Sequence, residues 1–206
     1  MKLAEDGIPT IAFLVIVTLV FFWIALLPGL ILAVLTGFVI WFYRDPERSR
    51  PVEDGLLTSP ADGRVVEIEP TEHPFTGPCV KVGIFMNVFS VHVNRTPCDG
   101  VVEYLKYVPG KKLAAFAPKA SEVNERHYVG LSTPFGPVLL VQIAGLLARR
   151  IVCRLALGES LAAGERFGMI RLGSKVDIYL PKGVQLSVKV GDKVYAGQSQ
   201  LGVMWK

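Results

Sequence analysis

Residues 8 to 43, "IPTIAFLVIVTLVFFWIALLPGLILAVLTGFVIWFY", contain no charged side chain, and nothing else in the 206-residue chain restricts its folding as much. As one helix this run would extend about 54 Å, well past a hydrocarbon core of roughly 30 Å. Pro28-Gly29 interrupts it near the middle. The expectation is therefore two apolar helices, about 9–27 and 30–43, forming a hairpin that anchors the chain in a membrane. The second helix is short for a full span, which leaves a tilted or re-entrant path open. A secretory signal fits poorly, because Glu5 and Asp6 precede the run and no small-residue cleavage site closes it.

Arg44, Arg48 and Arg50 follow the run directly. By the positive-inside rule they place residues 44 onward on the cytoplasmic side of the cell membrane. Residues 1–50 hold four basic and four acidic side chains, so the net charge of +4 belongs to residues 51–206. A basic domain tethered beside anionic lipid is drawn onto the bilayer surface. Nucleic acid is the other usual partner of such a charge, but no recognition motif accompanies it and the tether argues against it. Cys79, Cys98 and Cys153 form no CxxC pair, and His73, His92 and His127 have no ligand spacing, so neither a disulfide framework nor a metal site is indicated.

Beyond the anchor the chain reads as mainly β. Short runs rich in Val and Ile ("RVVEIE", "CVKVGIFM", "VLLVQIAG", "QLSVKV") are bounded by Gly, Pro or Asp, the pattern of a sandwich or barrel-like domain. "KKLAAFAPKASE" is compatible with a helical turn or a mobile loop, and the longer "VPGKKLAAFAPKASEVNERH" is a candidate mobile loop over a site. Two internal echoes point to related half-units. "DGRVVEIE" from Asp62 returns as "DGVVEYLK" from Asp99, and "LGESLAAGERFGMI" from Leu157 returns as "VGDKVYAGQSQLGVM" from Val190. Such a duplicated, glycine-punctuated pattern is similar to biotinyl and lipoyl carrier domains, which need no catalysis. Those domains present a lysine in a Met-Lys hairpin, and the only Met-Lys pair here is Met1-Lys2. A carrier-like adaptor is thus the non-enzymatic alternative.

Three segments carry possible chemistry: "LTSPADGRV" (57–65), "FMNVFSVHVNRTP" (85–97) and "RLGSKVD" (171–177). They supply an Asp, a His and a Ser, the residue types of a nucleophilic triad, although most chains of this length contain such a trio. Gly173-Ser174 is also the only Gly-Ser dipeptide in the chain. By itself it reads as a turn.

The apolar N-terminus running into "WFYRDPERSRP", then "SPADGRV", "FMNVFSVHVNRTPCDG", "VQIAGLLARRIVC" and "IRLGSKVDIYLP", together resemble the phosphatidylserine decarboxylase family in its short prokaryotic form, from about residue 39 to the C-terminus. The resemblance implies self-cleavage at Gly173-Ser174. The Ser174 hydroxyl attacks the Gly173 carbonyl to give an ester, and β-elimination then leaves dehydroalanine, which hydrolyses to a pyruvoyl group and ammonia. Gly at 173 leaves that carbonyl open and tolerates a strained backbone. A β subunit, 1–173, and an α subunit, 174–206, would result. The pyruvoyl ketone would condense with the substrate amine as a Schiff base and act as electron sink for loss of carbon dioxide. His92 would move protons and Asp62 would orient it. Without the resemblance, His92 reads as a strand histidine and Asp62 as a turn residue.

Longer members of the family carry two histidines three residues apart where this chain has His92 and Arg95. Arg95 is therefore a candidate for binding the substrate carboxylate or phosphate through its planar fork. His127 and His73 are expected in loops, and Arg149, Arg150 and Arg154 face the phosphodiester, the membrane surface or solvent. The implied substrate is phosphatidylserine in the membrane, and the motifs suit an archaeal serine phospholipid equally. A soluble amino acid as substrate would make the anchor pointless. Homo-oligomerisation is left open.

Overall fold

The computed structural model describes residues 2–49, 51, 55–111, 113, 120–146, 150–171 and 174–204. The chain divides between Glu47 and Arg48 into two compact units.

In the first unit a 3-10 turn, Glu5–Gly7, leads into α1 (Ile8–Ile24), and α2 (Leu26–Phe42) follows after one residue. The break falls earlier than Pro28-Gly29: Ala25 is extended, with φ −159° and ψ 137°. Pro28 lies in the first turn of α2, where an N–H would have no intrahelical acceptor, so proline is tolerated there. Gly29 lets the helices close, since a Cβ at that position would lie 2.6 Å from the Phe22 ring. A buried bond of 2.9 Å joins Thr18 and Thr36 across the hairpin. The Thr18 hydroxyl already donates to the Leu14 carbonyl, so Thr36 is the donor. At the open end the Ala4 N–H donates to the Tyr43 carbonyl and the Asp45 N–H to that of Lys2. The 20 residues Glu5–Ile24 are long and apolar enough to cross a membrane, whereas α2 is shorter.

The second unit is mainly β, as expected. Its strands are β1 (Leu56–Thr58), β2 (Gly63–His73), β3 (Gly77–Met86), β4 (Val93–Arg95), β5 (Gly100–Val108), β6 (Arg126–Thr133) and β7 (Gly136–Ala144). They continue with β8 (Ile151–Cys153), β9 (Ser160–Leu161), β10 (Arg166–Ile170), β11 (Ser174–Pro181), β12 (Gln185–Leu186), β13 (Lys193–Val194) and β14 (Gln200–Val203). An eight-stranded sheet, β13-β2-β3-β11-β7-β6-β5-β9, curls over two three-stranded ones, β1-β14-β12 and β4-β10-β8. Alternation along the strands fills the enclosed core with Val82, Ile84, Met86, Val138, Leu140, Val176, Ile178 and Leu180. The outer face of the large sheet carries Leu139, Val141 and Ile143 under Phe75, Tyr104, Tyr128 and Tyr179.

The internal echoes are real half-units. β2 pairs with β13 at one edge of the large sheet, and β5 pairs with β9 at the other. Each long strand has a register shift at the corresponding place, after Val65 and after Val102. The Val65 N–H donates to the Asp192 carbonyl and the Val102 N–H to that of Glu159, both at 2.9 Å. The N–H groups of Gly197 and Gly164 bond the carbonyls of Ser59 and Thr96, both at 2.8 Å. Gly158, Gly164, Gly191 and Gly197 all have positive φ, which is why the repeated turns require glycine.

The "KKLAAFAPKASE" stretch contributes a helical turn, α3 (Ala120–Val123), while residues 112 and 114–119 lie outside the described ones. Asn124 ties this region down: its Nδ2 donates to the carbonyls of Leu113 and Ala144, both at 2.8 Å.

Candidate active site

Ser174 opens β11, between Met86 at the end of β3 and Ala144 at the end of β7. It is fully buried, and its Oγ has no hydrogen-bond partner among the described residues. A buried hydroxyl left in that state loses free energy unless another role retains it. Gly173, the other half of the expected cleavage bond, lies outside the described residues, as does Arg149.

His92 is also fully buried. Its segment leaves β3 through a turn organised by Asn87, whose Oδ1 accepts the Phe89 N–H at 2.9 Å while its carbonyl accepts the Ser90 N–H. The Ser90 carbonyl sits 2.9 Å from His92 Nδ1. A carbonyl can only accept, so Nδ1 carries a proton, and whenever the ring is neutral its basic nitrogen is Nε2. The His92 carbonyl accepts the Ile170 N–H, which brings the histidine segment against the stretch leading to Ser174.

Two side chains not singled out in the sequence support this region. Asn94, two residues after His92, donates from Nδ2 to Met86 Sδ at 3.7 Å and accepts from Gln142 Nε2 at 2.9 Å. Asn94, Gln142 and Met86 are all fully buried, and Met86 is Ser174's neighbour in the sheet. Gly168 leaves room for this layer, since a Cβ there would meet the Val152 carbonyl oxygen at 2.2 Å and Gln142 Nε2 at 3.1 Å.

Asp62 is buried and gripped from two sides. Arg48 holds it through both carboxylate oxygens, Nη1–Oδ1 at 2.7 Å and Nη2–Oδ2 at 2.8 Å, and the Ala196 N–H donates to Oδ1 at 2.8 Å. Arg48, read from sequence as a topological flank of the anchor, is thus the buried partner of a candidate acid. Arg95 lies in β4, 5% exposed, donating from Nη1 to the Gly164 carbonyl at 3.0 Å. Its stem packs on Gly197, where a Cβ would come within 3.1 Å of its Cδ, so Arg95 braces the two repeated glycine turns together. Neither remaining histidine lies in a loop. His73 ends β2 with its Nδ1 accepting the Phe75 N–H, and His127 lies in β6 beside Tyr107.

Lys175 and Asp177 point to the opposite face of β11 from Ser174. Lys175 Nζ reaches Glu67 Oε2 at 2.5 Å, Asp177 Oδ1 at 3.0 Å and Ser121 Oγ at 3.1 Å, and Lys81 bridges Glu67 and Glu69. Gly83 makes the hole they occupy: a Cβ there would fall 2.6 Å from Lys175 Cε. Burial holds the Asp177 carboxyl above the usual carboxylate range despite Lys175. Burial also pushes Glu67 upward, but the two lysines outweigh it and leave its pKa lowered. Lone positions in "RLGSKVD" gave no sign of this network, because its partners come from β2, β3 and α3.

A family model described as phosphatidylserine decarboxylase matches residues 35–202. A protein named phosphatidylserine decarboxylase proenzyme from Symbiobacterium thermophilum is 48% identical over 203 residues, covering 97% of this chain and 94% of its own. One of the same name from Syntrophus aciditrophicus is 47% identical over 209 residues, covering 97% and 96%. Another from Chlorobaculum tepidum is 50% identical over 166 residues, covering 80% and 77%.

Proposed function

The chain belongs to the phosphatidylserine decarboxylase family, and on that premise we propose that it converts phosphatidylserine to phosphatidylethanolamine and carbon dioxide after cutting itself at Gly173-Ser174. The observation that carries the reading is the Ser174 hydroxyl: buried, without a hydrogen-bond partner among the described residues, and at the first position of a strand held on both sides. A nucleophile kept from water and from competing hydrogen bonds keeps its lone pairs for a neighbouring carbonyl. The shared name proenzyme supports a precursor that yields two subunits, 1–173 and 174–206. The relatives are bacterial and named for phosphatidylserine, which favours that lipid over an archaeal one and an enzyme over a carrier-like adaptor.

The fate of β11 supports the same reading. Hydrogen bonds to β3 and β7 on either side hold the strand after its upstream bond is lost, so residue 174 stays in place as a new terminus. The Lys175–Glu67–Asp177 network fixes the next turn of the pleat from the outer face. A pyruvoyl group formed from Ser174 fits a position where the serine side chain is enclosed and unbonded, and its carbonyl would supply the electron sink for decarboxylation. We assign to His92, whose Nδ1 is committed to the Ser90 carbonyl, the task of taking the serine proton on Nε2 and later returning one. Asp62 and Arg48 we assign to the electrostatic frame around this histidine segment, and Arg95 to holding the turns beneath it rather than to the substrate. The apolar hairpin would tether the enzyme to the membrane, with the sheet unit on the cytoplasmic side.

Intact-mass analysis of the purified protein beside Ser174→Ala tests this directly. The expected result is two fragments from the parent, the smaller lighter by one ammonia than a serine-started 174–206 peptide and trapped by borohydride with an amine. Ser174→Ala stays whole and releases no carbon dioxide from phosphatidylserine. A folded, active parent that remains a single chain would overturn the assignment.

A further inference from the structure

A serine phospholipid carries its reacting amine and carboxylate only a phosphate and a glycerol away from its acyl chains. If residue 174 is the reacting centre, as proposed above, the mouth of its site must therefore sit at headgroup depth. The register identifies that mouth. Met86 and Ala144 flank Ser174, so the chain leaving β3 and the chain leaving β7 emerge on either side of it. Three large apolar side chains of the sheet unit are about two-thirds exposed among the described residues: Phe89 at 65%, Leu146 at 66% and Leu157 at 65%. Phe89 lies three residues beyond Met86, at the tip of the Asn87 turn, and Leu146 two beyond Ala144. Leu157 lies elsewhere, beside Gly158, whose N–H bonds the Val102 carbonyl at the opposite end of the large sheet.

We propose that Phe89 and Leu146 form an apolar lip on the two sides of the Ser174 site that dips into the acyl-chain boundary of an anionic bilayer. An exposed phenylalanine at the tip of a tight turn adds little to the core, and at an interface it gains what it forfeits in water. Charge at the same mouth is of the matching sign. Arg150 is exposed, and its carbonyl accepts the Arg171 N–H, which places it beside the stretch that leads to Ser174. Basic side chains there meet phosphate and carboxylate groups of the lipid while the lip enters the layer beneath. The lip thus presents the lipid headgroup to the site without lifting the acyl chains into water.

Two arms test this on the full chain in vesicles containing phosphatidylserine. In the first, Phe89→Trp and Leu157→Trp are compared using lipids brominated on their acyl chains. The emission added at position 89 should be strongly quenched and that added at 157 should not. Equal quenching at both sites, or none at 89, overturns the lip whether or not the enzyme is active. In the second, Phe89→Asp combined with Leu146→Asp should lower the ratio of activity on vesicle lipid to activity on monomeric dihexanoyl phosphatidylserine by about tenfold. An unchanged ratio overturns the proposal. Activity on both substrates from an uncleaved chain would instead count against the reaction proposed at Ser174, and the quenching arm would still decide the lip.

Discussion

The two halves of the large sheet share one frame and differ in what it holds. Asp62 and Asp99 occupy equivalent turns, and each accepts a backbone N–H from the matching glycine turn: Ala196 at 2.8 Å and Ala163 at 2.7 Å. Asp99 is exposed, whereas Asp62 is buried and clamped by Arg48. Gly83 on β3 and Gly130 on β6 pair with the residues that follow the two bulges, Glu67 on β2 and Tyr104 on β5. Gly83 opens space for the Lys175–Asp177 pair, and Gly130 for the ring of Phe75, which a Cβ would meet at 2.7 Å. The duplicated backbone accounts for the fold. Among the described residues the Lys–Glu–Asp network lies in only one half, the one that supplies β11 and its serine. The comparison teaches that Asp62's turn bond is inherited scaffolding, and that only its burial against Arg48 is particular to the site.

The sharpest way to break this comparison is to neutralise both aspartates. Asp62→Asn and Asp99→Asn each retain an oxygen to accept the turn N–H. If the Asp62 charge serves His92, Asp62→Asn should slow self-cleavage by about a hundredfold or more, the range of a lost acid–base effect. If it does, the rate–pH profile should also move to lower pH, because losing that negative charge favours the neutral imidazole. Asp99→Asn should leave cleavage within about twofold. Time-resolved mass spectrometry across pH reads both quantities. A uniform slowing by Asp62→Asn with an unmoved profile would mean that it merely supports the turn.

Much of this was legible beforehand, for identifiable reasons. The apolar run and the alternating Val/Ile segments write burial directly into residue type, and the duplicated "DG" and "AG" motifs mark positions where backbone geometry demands glycine. The helix break was misplaced because Pro28 can begin a helix as well as end one, and only the chain's path at Ala25 separates the two. The Gly-Ser bond and His92 were found as parts of long motifs. Arg48, Asn94, Gln142 and the Lys175 network were not, since each matters through a partner distant in sequence: Arg48 meets Asp62 and Ala196, and Lys175 meets Glu67 and Ser121. Pairing across a sheet depends on register, which residue types alone leave undetermined.

A smaller effect separates the two glycines. Alanine at 83 pushes into Lys175, whose ammonium is pinned by Glu67, Asp177 and Ser121, so the clash cannot relax without disturbing buried charges. Gly83→Ala should cost about 2–3 kcal/mol, the upper part of the range for overpacking. Gly130→Ala meets the Phe75 ring, which lines a surface recess with His73 and Tyr128 and can swing outward, and the Tyr104 Cβ at 2.8 Å, which shifts only with its strand but disturbs no buried charge. About 1–2 kcal/mol is expected there. Denaturant unfolding of the two variants measures the difference, and equal costs would deny the charged half its special rigidity.

The smallest expected effect concerns protons in the half that lacks the charged network. The position on β6 that answers Val80 of β3 is His127, with Nδ1 buried and unpartnered among the described residues. Burial depresses its pKa below the ordinary histidine value. The folded state therefore binds this proton less readily than the unfolded chain does. Nothing is lost at neutral pH and above, where both states are neutral. As pH falls through the unfolded value of about 6.5 towards the depressed folded one, unfolding takes up the proton and stability declines. His127→Val copies the other half and should flatten that decline between about pH 6.5 and 5 while leaving stability at pH 8 little changed. Urea unfolding at several pH values reads the slope. An unchanged slope would place the acid sensitivity elsewhere, with His73 next in line because burial and then Lys106 lower its pKa in the same direction.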